Sequence, residues 1–414
     1  MAIEAKLNAY LNKLPVMKKV VKRLYQLGMY AISPKIKYKG DIKRISPDDG
    51  MEYFFGYYDK SPWDITDRYM LCLRVKNSYS SVAPNEPAEI VLFDTENDNS
   101  YQILGTTRSW NVQQGCMLQW LGPDYSRRII YNDFRDGKYC SVILNLETKQ
   151  EKIIAMPVYS VDREGQFALT LDFARLHRLR PGYGYSNLKD KYVNEKCPDD
   201  FCIWHVNLNS GQTKPILKYT DFAGFEPRTE MVNAEHKVNH IMINPSGDRF
   251  MVLHRWINNN NRYTRLVTAN INGSDIYNLN DDNMTSHCCW KNDGEILAFA
   301  NKKNEGNGYY LMRDKTSTYQ KLWPELQSDG HPSFSPDGKM VITDTYPDRK
   351  RIASVYCIKG DDISSIAKVF APFRYDNDVR CDLHPRWSRS GNKICIDSVF
   401  ERKRNIYEIN VNKQ

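Results

Sequence analysis

His240-Ile-Met-Ile-Asn-Pro-Ser-Gly247, His287-Cys-Cys-Trp-Lys-Asn-Asp-Gly294, His331-Pro-Ser-Phe-Ser-Pro-Asp-Gly338 and His384-Pro-Arg-Trp-Ser-Arg-Ser-Gly391 are four copies of one pattern in a chain of 414 residues. In each, a hydrophobic residue stands three positions after the His and a Gly-containing turn follows at seven. Successive histidines are 47, 44 and 53 residues apart. A motif that returns every ~40–50 residues and leads into a β-rich run is the signature of propeller blades. Equivalent positions of a propeller share one radius and height, so the four histidines are expected to converge on one central mouth. The chain has only eight histidines, and half of them occupy this repeat position.

Working outward, the earlier chain reads as three more blades. Tyr58-Asp-Lys-Ser-Pro-Trp63 leads to the strand Tyr69-Met-Leu-Cys-Leu73, Met117-Leu-Gln-Trp120 to Arg128-Ile-Ile-Tyr-Asn132, and Val158 to Phe167-Ala-Leu-Thr170. By this alignment Lys60, Met117 and Val158 take the ring position, so the histidines fall on one side of the channel. The expectation is an all-β, seven-bladed β-propeller over 46–414, closed near Asn405–Ile409, with 1–45 as a short basic helical extension. Whether a strand around Ile36–Tyr38 completes a blade is left open.

Hydrophobic residues make up 41% of the chain and aromatics 12%, enough for a sizeable core of β-blades. No stretch approaches the roughly 18 apolar residues of a membrane span. The first residues lack the apolar core and cleavage site of a secretory signal, so a cytoplasmic location is expected, peripheral to the inner face of the membrane. Cys72, Cys140, Cys357 and Cys395 alternate within strands as small hydrophobes. Ten cysteines in so long a chain make no compact disulfide framework. Cys197 and Cys202 are read as a loop clip or a partial metal site.

Charge is unevenly placed. Residues 1–45 hold eleven Lys/Arg against Glu4 and Asp41, a net +9, so the remainder of a chain of net +8 carries −1. A nearly neutral body argues against nucleic acid as a partner. In the basic arm Pro15 suits a helix start and Gly28 a loosening or end. Val16, Val20, Leu24 and Leu27 line one stripe, with Lys18, Lys19, Lys22 and Arg23 opposite. Two readings stand: residues 1–33 lie on an anionic membrane surface, or the helix caps the propeller.

Blade three carries a long insertion, about Asp172 to Phe201, rich in Arg and Tyr. Arg178, Arg180, Tyr183 and Tyr185 are expected to bind substrate, since guanidinium forks pair with carboxylates and tyrosines stack on sugar faces. Long loops in compact domains are usually functional.

Asn239-His240 with Phe250-Met-Val-Leu-His254, Ser286-His287-Cys-Cys-Trp290, Gly330-His331, and Asp382-Leu-His384-Pro-Arg-Trp387 together resemble the oligogalacturonate lyases. These are seven-bladed propellers that cleave uronate sugars by β-elimination with manganese. The resemblance covers roughly 235–413. It implies His240 as catalytic base and His287 and His384 as metal ligands. Asp382 stands where the family has a further histidine ligand, and carboxylate oxygen suits manganese. The family's glutamine ligand falls near Val379, which has no ligand atom, and His331 is the substitute. Arg175 is expected to assist at the anion, with Arg386 and His254 as further substrate-binding or supporting groups.

The chemistry suits these residue types. Removing the proton beside a uronate carboxylate builds enolate charge, which a divalent cation stabilises, and a neutral His is a base of fitting pKa. The implied partner is an anionic oligo- or polysaccharide, with a role in assembling or trimming a cell-surface polysaccharide. The alternative is a non-catalytic TolB-like propeller scaffolding a membrane-associated complex, its histidines hydrogen-bonding neighbouring blades. A glycosyl-transferring enzyme has no support, because no nucleotide-binding Gly-rich fingerprint is present.

Overall fold

The computed structural model describes residues 15–32 and 37–411, apart from the side chains of Pro15, Val16 and Lys19. Lys6, Lys13, Lys35 and Ile36 lie outside the described residues. Seven antiparallel sheets form the seven blades of a propeller. Blades one to five are four-stranded meanders spanning 52–107, 119–154, 160–218, 235–280 and 285–322. Blades six and seven, 333–370 and 386–410, each take a strand from the N-terminal part. Tyr38–Lys39 adds to Asp362–Phe370 of blade six. Ile42–Arg44 pairs with Asn405–Asn410, Ile42 opposite Ile409 and Arg44 opposite Tyr407. An N-terminal strand thus closes the ring, and Asn405–Asn410 is the third strand of blade seven. Residues 37–45 belong with the blades, which corrects the expected boundary at 45.

The hydrophobic residue three after each ring position has a physical role. Trp120 Nε1 donates to Pro62 O (2.8 Å), Trp290 Nε1 to Met242 O (3.0 Å) and Trp387 Nε1 to Ser333 O (3.2 Å). Each indole fastens its blade to the one before it while its rings fill the space between sheets. Trp120, Val161, Ile243, Trp290, Phe334 and Trp387 accordingly surround one cavity of about 540 Å³ at the mouth opposite the histidines. The repeat glycines Gly247, Gly338 and Gly391 take φ of +78°, +71° and +76°, where a side chain is disfavoured.

The blade-three insertion begins with a helix, Phe173–Leu179, whose N-cap Asp172 accepts from the backbone N–H of Ala174 and Arg175. Tyr185 stacks on Phe173 at 4.4 Å. Between them a Cβ on Gly184 would lie 2.2 Å from Phe173 O, so only glycine lets the loop return this closely. The N-terminal helix, Pro15–Ile32, runs through Gly28 without ending there. All ten cysteines are free, so Cys197 and Cys202 form no clip.

Candidate functional site

Each blade begins at its inner strand, so the connections that enter these strands carry the ring residues to one face. The four histidines do converge. Ring centroids lie 6.1 Å apart for His240 and His287, 4.0 Å for His287 and His331, and 4.3 Å for His331 and His384. His331, Asp382 and His384 are buried and place one potential ligand atom each within 4.8 Å of one another. His287 packs against His331 but stands outside that closest set.

Carboxylates orient two of the rings. Asp344 takes His331 Nδ1 at 2.7 Å and Asp329 takes His287 Nδ1 at 3.1 Å. Fixing Nδ1 as the donor leaves Nε2 as the lone-pair nitrogen, the usual outer support of a metal-ligating His. His331 Nε2 and His384 Nε2 are both buried without a hydrogen-bond partner among the described residues. Unpartnered buried nitrogens of this kind call for an explanation, and a bound cation supplies one. Both Asp382 oxygens accept from Arg380, one of them from Nη2 at 2.8 Å. A carboxylate offers about four lone-pair sites, so acceptor capacity remains. The donor set of two imidazoles and a carboxylate fits a divalent metal such as manganese or zinc.

His240 is differently placed. Tyr57 Oη lies 2.9 Å from its Nδ1 and Tyr58 Oη 2.8 Å from its Nε2. Nε2 also faces Cys288 O at 3.3 Å, an acceptor only, which assigns the ring proton to Nε2. Nδ1 therefore accepts the Tyr57 hydroxyl proton. Tyr58 is fixed in turn by Cys288, whose N–H reaches its oxygen at 3.0 Å. His240 and His384 both adopt left-handed backbone, φ +62° and +45°. Met117, at the ring position of blade two, shares it at φ +56°, so this backbone belongs to the entry of a blade.

Burial governs the charges. It holds His240 well below the ordinary histidine range, helped by His287. His384 is likewise held well below by burial and then His331, and His287 is lowered by burial and His331 against Asp329. For His331 burial also pushes down, but Asp344, Asp382 and Asp329 outweigh it and raise the pKa. Burial pushes the Asp382 carboxyl up, yet Arg380 brings it below the usual value. One imidazole of the cluster thus favours the proton that the others refuse.

The mouth is closed in this structure. His240, His287, His331 and His384 are 1, 5, 1 and 2% exposed. Tyr346 covers His331 and His287 at 5.8 and 6.2 Å, and Arg380 lies 4.2 Å over the Tyr346 ring. Tyr183 from the insertion meets Tyr57 edge-on at 6.3 Å, with Arg180 stacked on it at 4.9 Å. Arg180 and Tyr183 therefore border the site. Arg255 joins them, with its Nε buried and unpartnered among the described residues. Its pKa is lowered by burial and Arg180, while Tyr57, Tyr183 and Tyr346 act to raise it.

Other expected site residues are committed elsewhere. Arg175, fully buried, donates to His236 O, Tyr192 O, Lys196 O and Asp190. It ties the insertion together and has no donor directed at the histidines. Arg178 pairs with Asp190 and Glu235. Tyr185 accepts from Asn132 and packs in the core. His254 lies inside blade four, bonded to His236 (2.9 Å) and Arg265 (3.1 Å). Strand alternation sends its neighbour Arg255 to the mouth instead. Arg386 forms a buried fork with Asp397 and donates to the carbonyls of Gly56 and Tyr57. It positions Tyr57, and its guanidinium is already bonded to Asp397, Cys395 and the two carbonyls. Blade one contributes Tyr57 and Tyr58 to the mouth, while Lys60 pairs with Asp59 toward the opposite side. The only sequence signal for these tyrosines was their place just before the aligned ring position.

No protein-family model matches the chain, and no curated protein matches it by sequence. Solved structures do. An oligogalacturonate lyase from Vibrio parahaemolyticus superposes with a TM-score of 0.63 at 13% identity, covering 90% of this chain and 96% of that one. An oligogalacturonate lyase in complex with manganese gives 0.63 at 15% identity, covering 91% and 96%. The β-propeller domain of the Trilobed protease from Pyrococcus furiosus gives 0.52 at 13% identity, covering 88% and 94%. At such identities the likeness speaks for the fold, a seven-bladed propeller spanning nearly the whole chain.

Proposed function

We propose that the histidine mouth is the active site of a metal-assisted, lyase-like enzyme acting on a uronate-containing glycan. The observation that carries this reading is the convergence of His331, Asp382 and His384 with two buried, unpartnered Nε2 atoms. Likeness in fold to an oligogalacturonate lyase in complex with manganese supports it. His331, Asp382 and His384 would hold the ion, with His287 adjacent. When bound, the cation supplies Lewis-acid stabilisation of charge on the uronate carboxylate.

The remaining work falls to the chain's own side chains. In elimination a ring C–H proton beside the carboxylate leaves, a C=C bond forms and the neighbouring glycosidic C–O bond breaks, the departing oxygen taking back one proton from the Tyr57–His240 pair to leave as a hydroxyl and reset that pair. The proton passes to Tyr57 Oη as the Tyr57 hydroxyl proton passes to His240 Nδ1. His240 is suited to receive it because burial keeps it neutral beforehand. Arg255 and Arg180 pair with the substrate anion in a dry site, where such pairing is strong. Entry of a sugar requires Tyr183 and Tyr346 to move from the mouth.

A second reading, a non-catalytic scaffold, is favoured by the closed mouth and by the Arg380 pair on Asp382. Elemental analysis of untagged protein, joined to an assay for unsaturated uronate absorbance on uronate oligosaccharides, separates the two. Stoichiometric divalent metal and unsaturated product are expected. Metal-free folded protein that releases no such product would leave the scaffold.

A further inference from the structure

The N-terminal helix docks on the propeller by the wrong side for a cap. Arg23 pairs with Asp376 at 2.9 Å and lies 4.9 Å over the Phe373 ring. Tyr30, seven residues on, stacks on Phe370 at 5.1 Å, and Arg349 donates to Tyr25 Oη at 3.1 Å. These contacts hold the flank of the helix beside the stripe, by an ion pair and by ring stacking. The apolar stripe, at helical spacing of three and four, faces outward: Val20, Leu24 and Leu27 are 53, 63 and 45% exposed, and Met17 and Val21 flank them, also exposed. A capping helix would bury this stripe, since each large apolar side chain gains about 1.5–3 kcal/mol on full burial.

The helix sits on the face that bears the histidines. Asp344, which binds the backbone N–H of both His331 and His384, ends its strand at that mouth. The loop that follows at once, 345–351, carries Arg349. The connection from Phe370 to His384 carries Phe373 and Asp376 before it reaches Asp382. Both docking segments are therefore the rim of the mouth. The helix and the loop 345–351 carry net positive charge: Lys22 on the helix and Lys350 on the rim are exposed, as is Arg374, with Asp348 and Asp378 the exposed acids of the rim segments. Residues 1–33 hold six Lys/Arg against Glu4, a net +5. No described helix is long and apolar enough to cross a membrane.

We propose that this helix is a peripheral anchor that seats the chain on an anionic lipid bilayer with the histidine mouth toward the lipid. An amphipathic helix held firmly at the rim, apolar stripe outward and cations beside it, has the chemistry of an interfacial binder. Negatively charged headgroups complement the cations, and the stripe enters the headgroup–acyl boundary. The proposal stands independently of the lyase reading.

The test is co-sedimentation of the full-length protein with vesicles of phosphatidylcholine alone or mixed with phosphatidylglycerol. Binding is expected only to the anionic vesicles and should weaken with salt. Val20→Glu with Leu24→Glu, both at exposed positions, should abolish it while leaving the melting temperature unchanged. Lys22→Gln should weaken partitioning roughly fivefold. Hydrogen exchange with vesicles present should slow in 15–32 and in the rim loops 345–351 and 371–377, and not in the opposite-face turns at 244–248 and 335–339. Absence of binding to anionic vesicles, binding that survives the double substitution, or protection of the opposite face would each overturn the proposal. So would a dimer that the double substitution dissolves, which would assign the stripe to a second copy of the chain.

Discussion

One oxygen of the Asp344 carboxylate accepts both the backbone N–H and the Nδ1–H of His331, at 2.8 and 2.7 Å. Its other oxygen accepts the backbone N–H of His384 at 3.1 Å. A single buried carboxylate thus joins blade six to the entry of blade seven and aims the free nitrogen of His331 into the mouth.

Asp344→Asn should therefore lower divalent-metal affinity about 10–100-fold, the usual effect of losing an orienting partner of a ligand His. The amide keeps the shape but not the charge that holds Nδ1–H. Titration with manganese by calorimetry reads this directly. Unchanged affinity would mean that His331 is not a ligand.

His331→Ala and His384→Ala should each empty the site of metal, whereas His240→Ala should retain it. The His240 variant carries a different penalty. It leaves the buried Tyr57 and Tyr58 hydroxyls without their shared partner, about 1–3 kcal/mol of stability. Elemental analysis and denaturant unfolding of the three variants give the pattern, and metal loss in His240→Ala would make that residue a ligand instead.

Tyr57→Phe removes one oxygen from the proposed proton path and leaves the ring packed between His240 and His384. Turnover of a uronate oligosaccharide should fall about 10²–10⁴-fold, the range of general acid–base catalysis, with metal content and fold kept. Full activity in this variant would return the base role to His240 acting on substrate directly.

Stability should decline as pH falls below about 6.5, the ordinary histidine value. His240, His254 and His384 are held well below it by burial, aided by His287, Arg265 and His331 respectively. The folded state binds fewer protons there than the unfolded state, so unfolding free energy rises with pH until the unfolded histidines are neutral. His331 runs the opposite way: its stabilisation is full below that value and fades as pH rises through its raised folded pKa. Urea midpoints at about pH 8, 7, 6 and 5 should fall at the acid end. A flat profile above pH 5 would show that these imidazoles are not neutral in the fold.

Much of the site was legible because it repeats. The four ring histidines and the hydrophobic residue three after each were visible as a pattern, and Asp382 stood beside one of them. Tyr57, Tyr58, Asp329, Asp344 and Arg255 were not legible in this way. None occupies the repeated position, and the two tyrosines act through a partner far along the chain, His240, at 183 and 182 residues' remove. The Arg and Tyr content of the insertion was misleading for the same reason. Asp190, Glu235 and nearby carbonyls absorb Arg175 and Arg178, leaving Arg180 and Tyr183 at the mouth.

By itself the sequence determined the blades, because a strand-length hydrophobic pattern recurring at fixed intervals can bury its faces only against copies of itself. That same recurrence brought the histidines to one radius. Only the tertiary structure decided which nitrogens are left unpartnered, which arginines are already paired, and which side of the N-terminal helix meets the propeller. Those outcomes depend on packing and hydrogen bonds between segments remote in the chain, where a shift of one ångström separates a ligand from a structural tie.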